Sequence, residues 1–182
     1  MTTLSSEGRR EPSAEVRRTL LNFYWESKMQ GLRLAFAMLR QPEAEDCAPN
    51  LTRLVADEAH HLWLLSKNIA ELGGTPMPDG RAHRTRRSQM ARVPKDWAGQ
   101  LALAAAAKKR TYSRYTQECS SEGRKLAEPW RTIAEDDRSN LAWLEEKLAL
   151  FGGKPDWRDR VEDYLAAEET MYAAFTAAPP GP

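Results

Sequence analysis

The stretch DEAHHLWLLSKNIAELGGTP at residues 57–76 returns 79 residues later as DDRSNLAWLEEKLALFGGKP at residues 136–155. No gap is needed to align the two copies. The positions they share are Asp57, Leu62, Leu65, Ala70, Gly73, Gly74 and Pro76, which match Asp136, Leu141, Leu144, Ala149, Gly152, Gly153 and Pro155. Apolar residues at three- and four-residue steps followed by a glycine pair are typical of an amphipathic helix and its cap. The repeat therefore predicts a chain of two duplicated helix pairs.

Further helices are predicted on both sides of the two copies. Ser13 is a suitable N-cap for the first of them, whose apolar stripe includes Leu20, Leu21, Tyr24, Trp25, Met29, Leu32, Phe36 and Leu39. The five predicted helices cover residues 13–41, 51–72, 96–119, 126–151 and 157–176. Residues 75–95 contain prolines and many arginines, so we expect a long crossover between the second and third helices.

Composition bounds the class of protein. The chain has 182 residues, of which 41% are hydrophobic and 29% charged, and a net charge of +1. This balance predicts a soluble all-α protein and gives no reason to expect nucleic acid or a membrane as partner. We predict a disordered tail at residues 1–12, one domain at 13–176 and a loose tail at 177–182. The absence of an apolar leader and of closely spaced cysteines favours a cytoplasmic location, and a homodimer stays open.

The first copy of the repeat carries polar residues on its apolar face. Glu58 and His61 are three residues apart, so both side chains project from the face that also holds Leu54 and Leu65. Glu26 lies at the edge of the apolar stripe of the first helix, in YWESKMQG. A carboxylate and an imidazole should therefore meet inside the bundle.

With Glu26 ahead of Glu58 and His61, followed by ELGG, the chain resembles the ferritin-like di-iron proteins, particularly rubrerythrins and bacterioferritins, over residues 13–153. That family takes one glutamate from each of two helices and Glu-x-x-His from each of the other two. The resemblance implies a ferritin-like four-helix bundle with a long crossover, to which this chain adds a fifth C-terminal helix. It also implies that Glu26, Glu58 and His61 are metal ligands, with Asp137 as a further candidate.

The second half departs from the family pattern. The residues that take the place of Glu58, His61 and Glu26 are Asp137, Asn140 and either Ala105 or, after a three-residue shift, Lys108. Asparagine is a poor iron ligand, and neither Ala105 nor Lys108 is a carboxylate. We therefore expect at most one iron or manganese ion per chain, or none. Lys108 should face the interior and form an ion pair with Asp137 or Glu58, in the position that a second metal would otherwise neutralise.

These residues support three hypotheses about function. In the first, the protein is an enzyme, oxidoreductase-like or a repurposed biosynthetic enzyme, that acts on a small organic substrate through Glu26, Glu58, His61, Asp137 and Lys108. It would use a mononuclear or metal-free version of the site. In the second, it is a non-catalytic ferritin-like binding or structural protein with relic ligands. In the third, it is a di-iron oxidase or peroxidase of rubrerythrin type, with an acid such as Glu118 or Glu135 completing the ligand set.

Two segments outside the ligand set can each be interpreted in two ways. The alanine run at residues 104–107 either packs closely against a neighbouring helix or leaves a cavity where a larger side chain is missing. The basic crossover at residues 81–95 is either a solvated loop or a surface for an anionic partner.

Overall fold

The computed structural model of this protein describes residues 13–77, 94–121, 124–151 and 156–177. In these ranges the regular elements are α1 at Ala14–Leu39, a 3-10 helix at Pro42–Cys47, α2 at Ala48–Glu71, α3 at Trp97–Ser121, α4 at Arg124–Ala149 and α5 at Asp156–Ala177. The predicted all-α class is confirmed. None of the described helices combines the length and the apolar character that crossing a membrane requires. The predicted tail at 1–12, residues 178–182 and most of the basic crossover, at 78–93, lie outside the described residues.

Individual residues determine where α1 begins and where α2 ends. The Ser13 side chain accepts a hydrogen bond from the Val16 amide at 3.3 Å and so caps α1. At the end of α2, Gly73 has a φ of 72°, a left-handed conformation that glycine adopts without steric cost. The next amide, that of Gly74, donates to the Ile69 carbonyl at 2.9 Å and satisfies one of the last carbonyls of the helix. The predicted glycine cap of α2 is thus present.

The helices pack as two pairs in chain order. α1 packs against α2, and α3 packs against α4. The pairs meet through contacts of α1 with α3 and of α2 with α4, while α5 lies against α3. The described residues therefore form a helical bundle of two helix pairs with a fifth helix on one side.

The sequence repeat is also a repeat of burial. Six positions of α2 and the six positions 79 residues later in α4 are all buried: Leu51, Leu54, Glu58, His61, Leu65 and Ile69, and Trp130, Ile133, Asp137, Asn140, Leu144 and Leu148. The apolar pairs lie towards the helix ends, and the polar pairs lie at the centre. The two copies of the repeat therefore share the buried face of the helix along with its residue spacing.

A polar layer crosses the middle of the bundle and separates two apolar clusters. One cluster includes Leu34, Met38, Leu51, Leu101 and Leu144. The other includes Tyr24, Leu65, Tyr115, Trp130 and Ile133. The polar layer consists of Lys28, Glu58, His61, Lys108, Thr111, Asp137 and Asn140, each at most 5% exposed. Because buried charges are stable only when paired, the contacts within this layer decide how the four helices meet.

We predict that Leu65→Ala and Leu144→Ala destabilise the protein by similar amounts, about 2–5 kcal/mol each. Both side chains are fully buried and occupy the same position of the repeat. The measurement is the free energy of unfolding in urea. Leu150→Ala is the control, because Leu150 is 74% exposed, and its effect should stay within about 0.5 kcal/mol. If Leu144→Ala were as mild as the control, the assigned inward line of α4 would be wrong.

Candidate functional site

Two lysines from different helices hold two carboxylates at the centre of the polar layer. Lys108 on α3 donates hydrogen bonds from Nζ to Glu58 Oε1 on α2 and to Asp137 Oδ1 on α4. Lys28 on α1 donates to the two oxygens of Asp137, at 2.7 and 3.0 Å, and its Nζ lies 3.6 Å from Glu58 Oε1. The Thr111 hydroxyl donates to Asp137 Oδ2 at 2.7 Å. Two ammonium groups thus balance two carboxylates, and all four main helices contribute to the cluster.

Opposite charges keep Lys28 and Asp137 ionised although both side chains are buried. Burial alone would raise the pKa of Asp137, but the ammonium groups of Lys108 and Lys28 outweigh that effect and hold the pKa well below its usual value. Burial alone would lower the pKa of Lys28, yet Asp137 and Glu58 outweigh it and the pKa lies above its usual value. At neutral pH Lys28 and Asp137 therefore form a charged pair.

His61 connects the cluster to a carboxylate near the surface. Its Nε2 lies 3.1 Å from Asp136 Oδ2. Burial lowers the pKa of His61, and the nearby charge of Lys28 lowers it further. The hydrogen bond from His61 lowers the pKa of Asp136, so this carboxylate is ionised and can only accept.

The tautomer of His61 follows from these two charge states. A neutral imidazole next to an acceptor carries its proton on Nε2, which leaves the Nδ1 lone pair bare. Nδ1 lies 4.0 Å from Asp137 Oδ1, and none of the described residues donates a hydrogen bond to it. A buried nitrogen acceptor therefore faces the cluster without a donor.

The second copy of the repeat makes the matching hydrogen bond in the opposite direction. Asn140 Nδ2 on α4 donates to Asp57 Oδ2 on α2 at 2.8 Å. Positions 57 and 61 correspond to 136 and 140, so Asn140–Asp57 and His61–Asp136 are equivalent contacts of the two copies. Asn140 thus preserves the link between α2 and α4, although it lacks the second ring nitrogen of His61.

A cavity of about 50 Å³ lies beside the cluster. It is bounded by α1, α2, α3 and α5, and its lining includes Lys28, Gly31, Leu34, Leu54, Glu58, Leu103, Ala104, Ala107, Lys108, Tyr164 and Glu168. Ala104 and Ala107 belong to the alanine run at residues 104–107, and the cavity beside them agrees with the second interpretation of that run, in which small side chains leave space. At about 10–15 Å³ for each water-sized probe, the cavity holds a few water molecules or one very small organic molecule.

Gly31 allows α1 to come close to Glu58. A Cβ atom at this position would lie 3.0 Å from Glu58 Oε2 and 3.1 Å from its Cδ. A larger residue would therefore displace the carboxylate or separate the helices. Glu58 Oε2 is buried and accepts no hydrogen bond from the part of the chain that is described.

The structure brings together four of the five predicted site residues: Glu58, His61, Asp137 and Lys108. Lys108 forms the predicted ion pair, and it does so with both candidate carboxylates. Glu26 is buried, at 2% exposed, but it does not join the group of metal-ligating atoms formed by Glu58, His61 and Asp137. The reason is its position on α1: residues two apart on a helix point about 200° away from each other, and Lys28 is the one that faces Asp137.

The proposed completion of a di-iron ligand set finds no support either. Glu135 is exposed, and the side chain of Glu118 lies outside the described part of the chain. Neither is therefore placed in the polar layer.

Lys28 is the main site residue that the sequence reasoning missed. The buried positions of α1 are Leu21, Phe23, Tyr24, Glu26, Lys28, Leu34, Ala35 and Met38. The apolar stripe predicted for α1 does not coincide with the buried side of the helix. Phe36, which the predicted stripe included, is 52% exposed. The signal that could have identified Lys28 is its place in the line that continues from Leu21 and Tyr24 at three- and four-residue steps.

No protein-family model, curated protein or solved structure matches this chain. The resemblance to ferritin-like proteins therefore stays a prediction, based on the order of the helices and on the spacing of Glu58 and His61.

Iron or manganese, which that resemblance implies, does not fit the residues as they are arranged. One atom each of Glu58, His61 and Asp137 lies within 4.8 Å of the others, which is close enough for a shared ion. The same carboxylates, however, already bind Lys108 and Lys28. A divalent ion bound there would place four positive charges against two carboxylates, in a region of low dielectric.

We predict that the protein loses stability as the pH falls from 7 to 5. The pKa of His61 is lower in the folded state than the value of about 6.5 in an unfolded chain, so the unfolded state binds more protons below that pH. The contribution of His61 to the free energy of unfolding is fully present above about pH 6.5. As the pH falls below that value, the free energy of unfolding decreases by at most about 1.4 kcal/mol per pH unit.

The measurement is urea unfolding at several pH values. His61→Gln should reduce the decrease in the free energy of unfolding between pH 7 and 5. His60→Gln is the control, because His60 is the next residue and is exposed, and this variant should retain the loss. An unchanged slope in His61→Gln would show that the buried imidazole is not its source.

Proposed function

We propose that this protein is a metal-free ferritin-like enzyme that binds a small organic molecule in the cavity beside Lys108 and Glu58 and acts on it by proton transfer. The observation that carries the proposal is the position of the cavity. It adjoins an ammonium and a carboxylate, and Glu58 Oε2 has no hydrogen-bond donor among the described residues.

The two side chains have complementary abilities. Glu58 Oε1 is fixed by Lys108, which leaves Oε2 as the oxygen that can accept a proton. The ammonium of Lys108 has three N–H groups and uses two of them on Glu58 and Asp137. The third can stabilise negative charge on an oxygen of the bound molecule. A base and a hydrogen-bond donor on one substrate are the requirements of general acid–base catalysis.

The surroundings of the cavity favour a neutral molecule. Lys28 and Lys108 are balanced by Glu58 and Asp137, and Glu168 at the cavity wall is paired with Arg110. An additional ion would therefore have no unpaired counter-charge among the described residues that line the cavity. The remaining wall is mostly apolar, with leucine and alanine side chains. The expected ligand is neutral, has very few heavy atoms and carries a hydrogen-bond donor for Glu58.

A non-catalytic binding or structural protein is the second candidate. The observation that favours it is the near-complete pairing of the charges in the polar layer, which resembles a structural network. The di-iron oxidase hypothesis is the least favoured of the three, because Lys28 and Lys108 occupy the carboxylates that two metal ions would need.

Acetamide and acetate distinguish neutral from charged ligands, because they have the same shape and size. We predict that acetamide binds in the cavity and that acetate binds at least about tenfold more weakly, a difference of about 1.4 kcal/mol. Binding would be measured by NMR titration, with the chemical shifts of Thr111 and Ala107 as reporters. Glu58→Gln should weaken acetamide binding, because the amide of glutamine is a weaker acceptor than the carboxylate.

Ala107→Leu should abolish binding, because the larger side chain fills the cavity that Ala107 lines. Ala142→Leu is the matched control: it makes the same change at an exposed position of α4 and should leave binding unchanged. Equal binding of acetate and acetamide, or acetamide binding that survives Ala107→Leu, would contradict the proposal.

A further inference from the structure

We infer that Lys28 and Lys108 are the resident cations of a site that is built for a divalent metal ion, and that they exclude metal from the native protein. This inference concerns the ions of the polar layer and holds whether or not the cavity binds an organic molecule.

The first observation is that a cation already lies among potential metal ligands. The carboxylates of Glu58 and Asp137 come from two helices, and a ligand atom of each lies within 4.8 Å of one on His61. The ammonium of Lys108 bonds to one oxygen of each carboxylate. Lys108 therefore bridges the two acids across the bundle, as a metal ion bound to both would do.

The second observation is the orientation of His61. A histidine that binds a metal through one ring nitrogen commonly donates its other N–H to a carboxylate, which fixes the ring and its tautomer. Here Nε2 is directed at Asp136, and the bare Nδ1 lies 4.0 Å from Asp137 Oδ1. No described residue donates to Nδ1, although the side chain is fully buried. A nitrogen lone pair is thus held towards the cluster without a hydrogen-bonding reason for it.

The third observation is the charge balance. Two lysines neutralise two carboxylates, so the native cluster has no net negative charge to attract a divalent ion. Replacing Lys108 with glutamate would change the balance of Lys28, Glu58 and Asp137 with position 108 from zero to two negative charges. That is the charge that one divalent ion neutralises. The glutamate side chain is one bond shorter than that of lysine, so its carboxylate ends short of the position of Lys108 Nζ between the two acids and leaves that position to the ion.

The test is the variant Lys108→Glu, titrated with Co²⁺ and followed by calorimetry and by the visible absorption of the bound ion. We expect one Co²⁺ per chain and a gain in affinity of at least about 100-fold over the native protein, since an ammonium near 4 Å from a divalent ion is strongly repulsive. Lys109→Glu is the matched control, because Lys109 is the next residue of α3 and is exposed. It should bind Co²⁺ no better than the native protein.

Each outcome of this test either supports or contradicts the inference. If Lys108→Glu is unfolded in the absence of metal, Co²⁺ should restore its helical circular dichroism, because the ion replaces the lost ammonium. A variant that stays unfolded with Co²⁺, or that folds without binding it, contradicts the inference. So does native protein that binds Co²⁺ as tightly as the variant or that purifies with one equivalent of a divalent metal.

Discussion

The contact of the Lys108 ammonium with Glu58 and Asp137 is the interaction on which the bundle depends most. It connects α3 to α2 and α4 at the centre of the structure, and Lys28 adds α1 to the same cluster. A single one of these charges could not be buried alone, because removing one partner of a buried pair typically costs about 3–5 kcal/mol. Apolar side chains of similar size could replace the whole cluster at little cost in stability. Its structural effect is therefore to fix which residues of the four helices lie opposite each other.

The two copies of the repeat have kept the same frame while their chemistry has diverged. His61–Asp136 and Asn140–Asp57 are equivalent hydrogen bonds, so each copy ties its helix to the other at the same turn. Asparagine is sufficient for that link. Histidine supplies, in addition, a second nitrogen that faces the buried charges. The difference between the copies therefore places a second ring nitrogen beside Asp137 in the first copy and leaves the second copy with the hydrogen bond between the helices alone.

The sequence predicted the features that depend on local spacing. The cap at Gly73, the repeated inward line and the pairing of Lys108 follow from three- and four-residue steps or from the 79-residue repeat. Lys28 was missed because a lysine is normally exposed, and what allows it to be buried is Asp137, 109 residues away in the chain. Glu26 is buried as predicted, but it is not part of the group of ligand atoms formed by Glu58, His61 and Asp137, because it lies two positions from Lys28 and so on another side of α1. The packing of α5 on α3 was equally inaccessible, since its ion pairs join Arg110 to Glu168 and Arg114 to Glu169, residues separated in the chain by the whole of α4.

The cavity completes the connection between the fold and its chemistry. Ala107 lines the cavity, and a leucine at this position would fill part of the space beside Lys108. A void in a core costs stability, because its lining atoms lose contacts that a filled site would make. Here the void lies against Glu58 and Lys108, two charged side chains that are buried. Its wall also includes Leu34, Leu54 and Leu103 of the first apolar cluster. The void therefore lies where that cluster meets the polar layer, so that a molecule bound there would contact apolar and charged groups together.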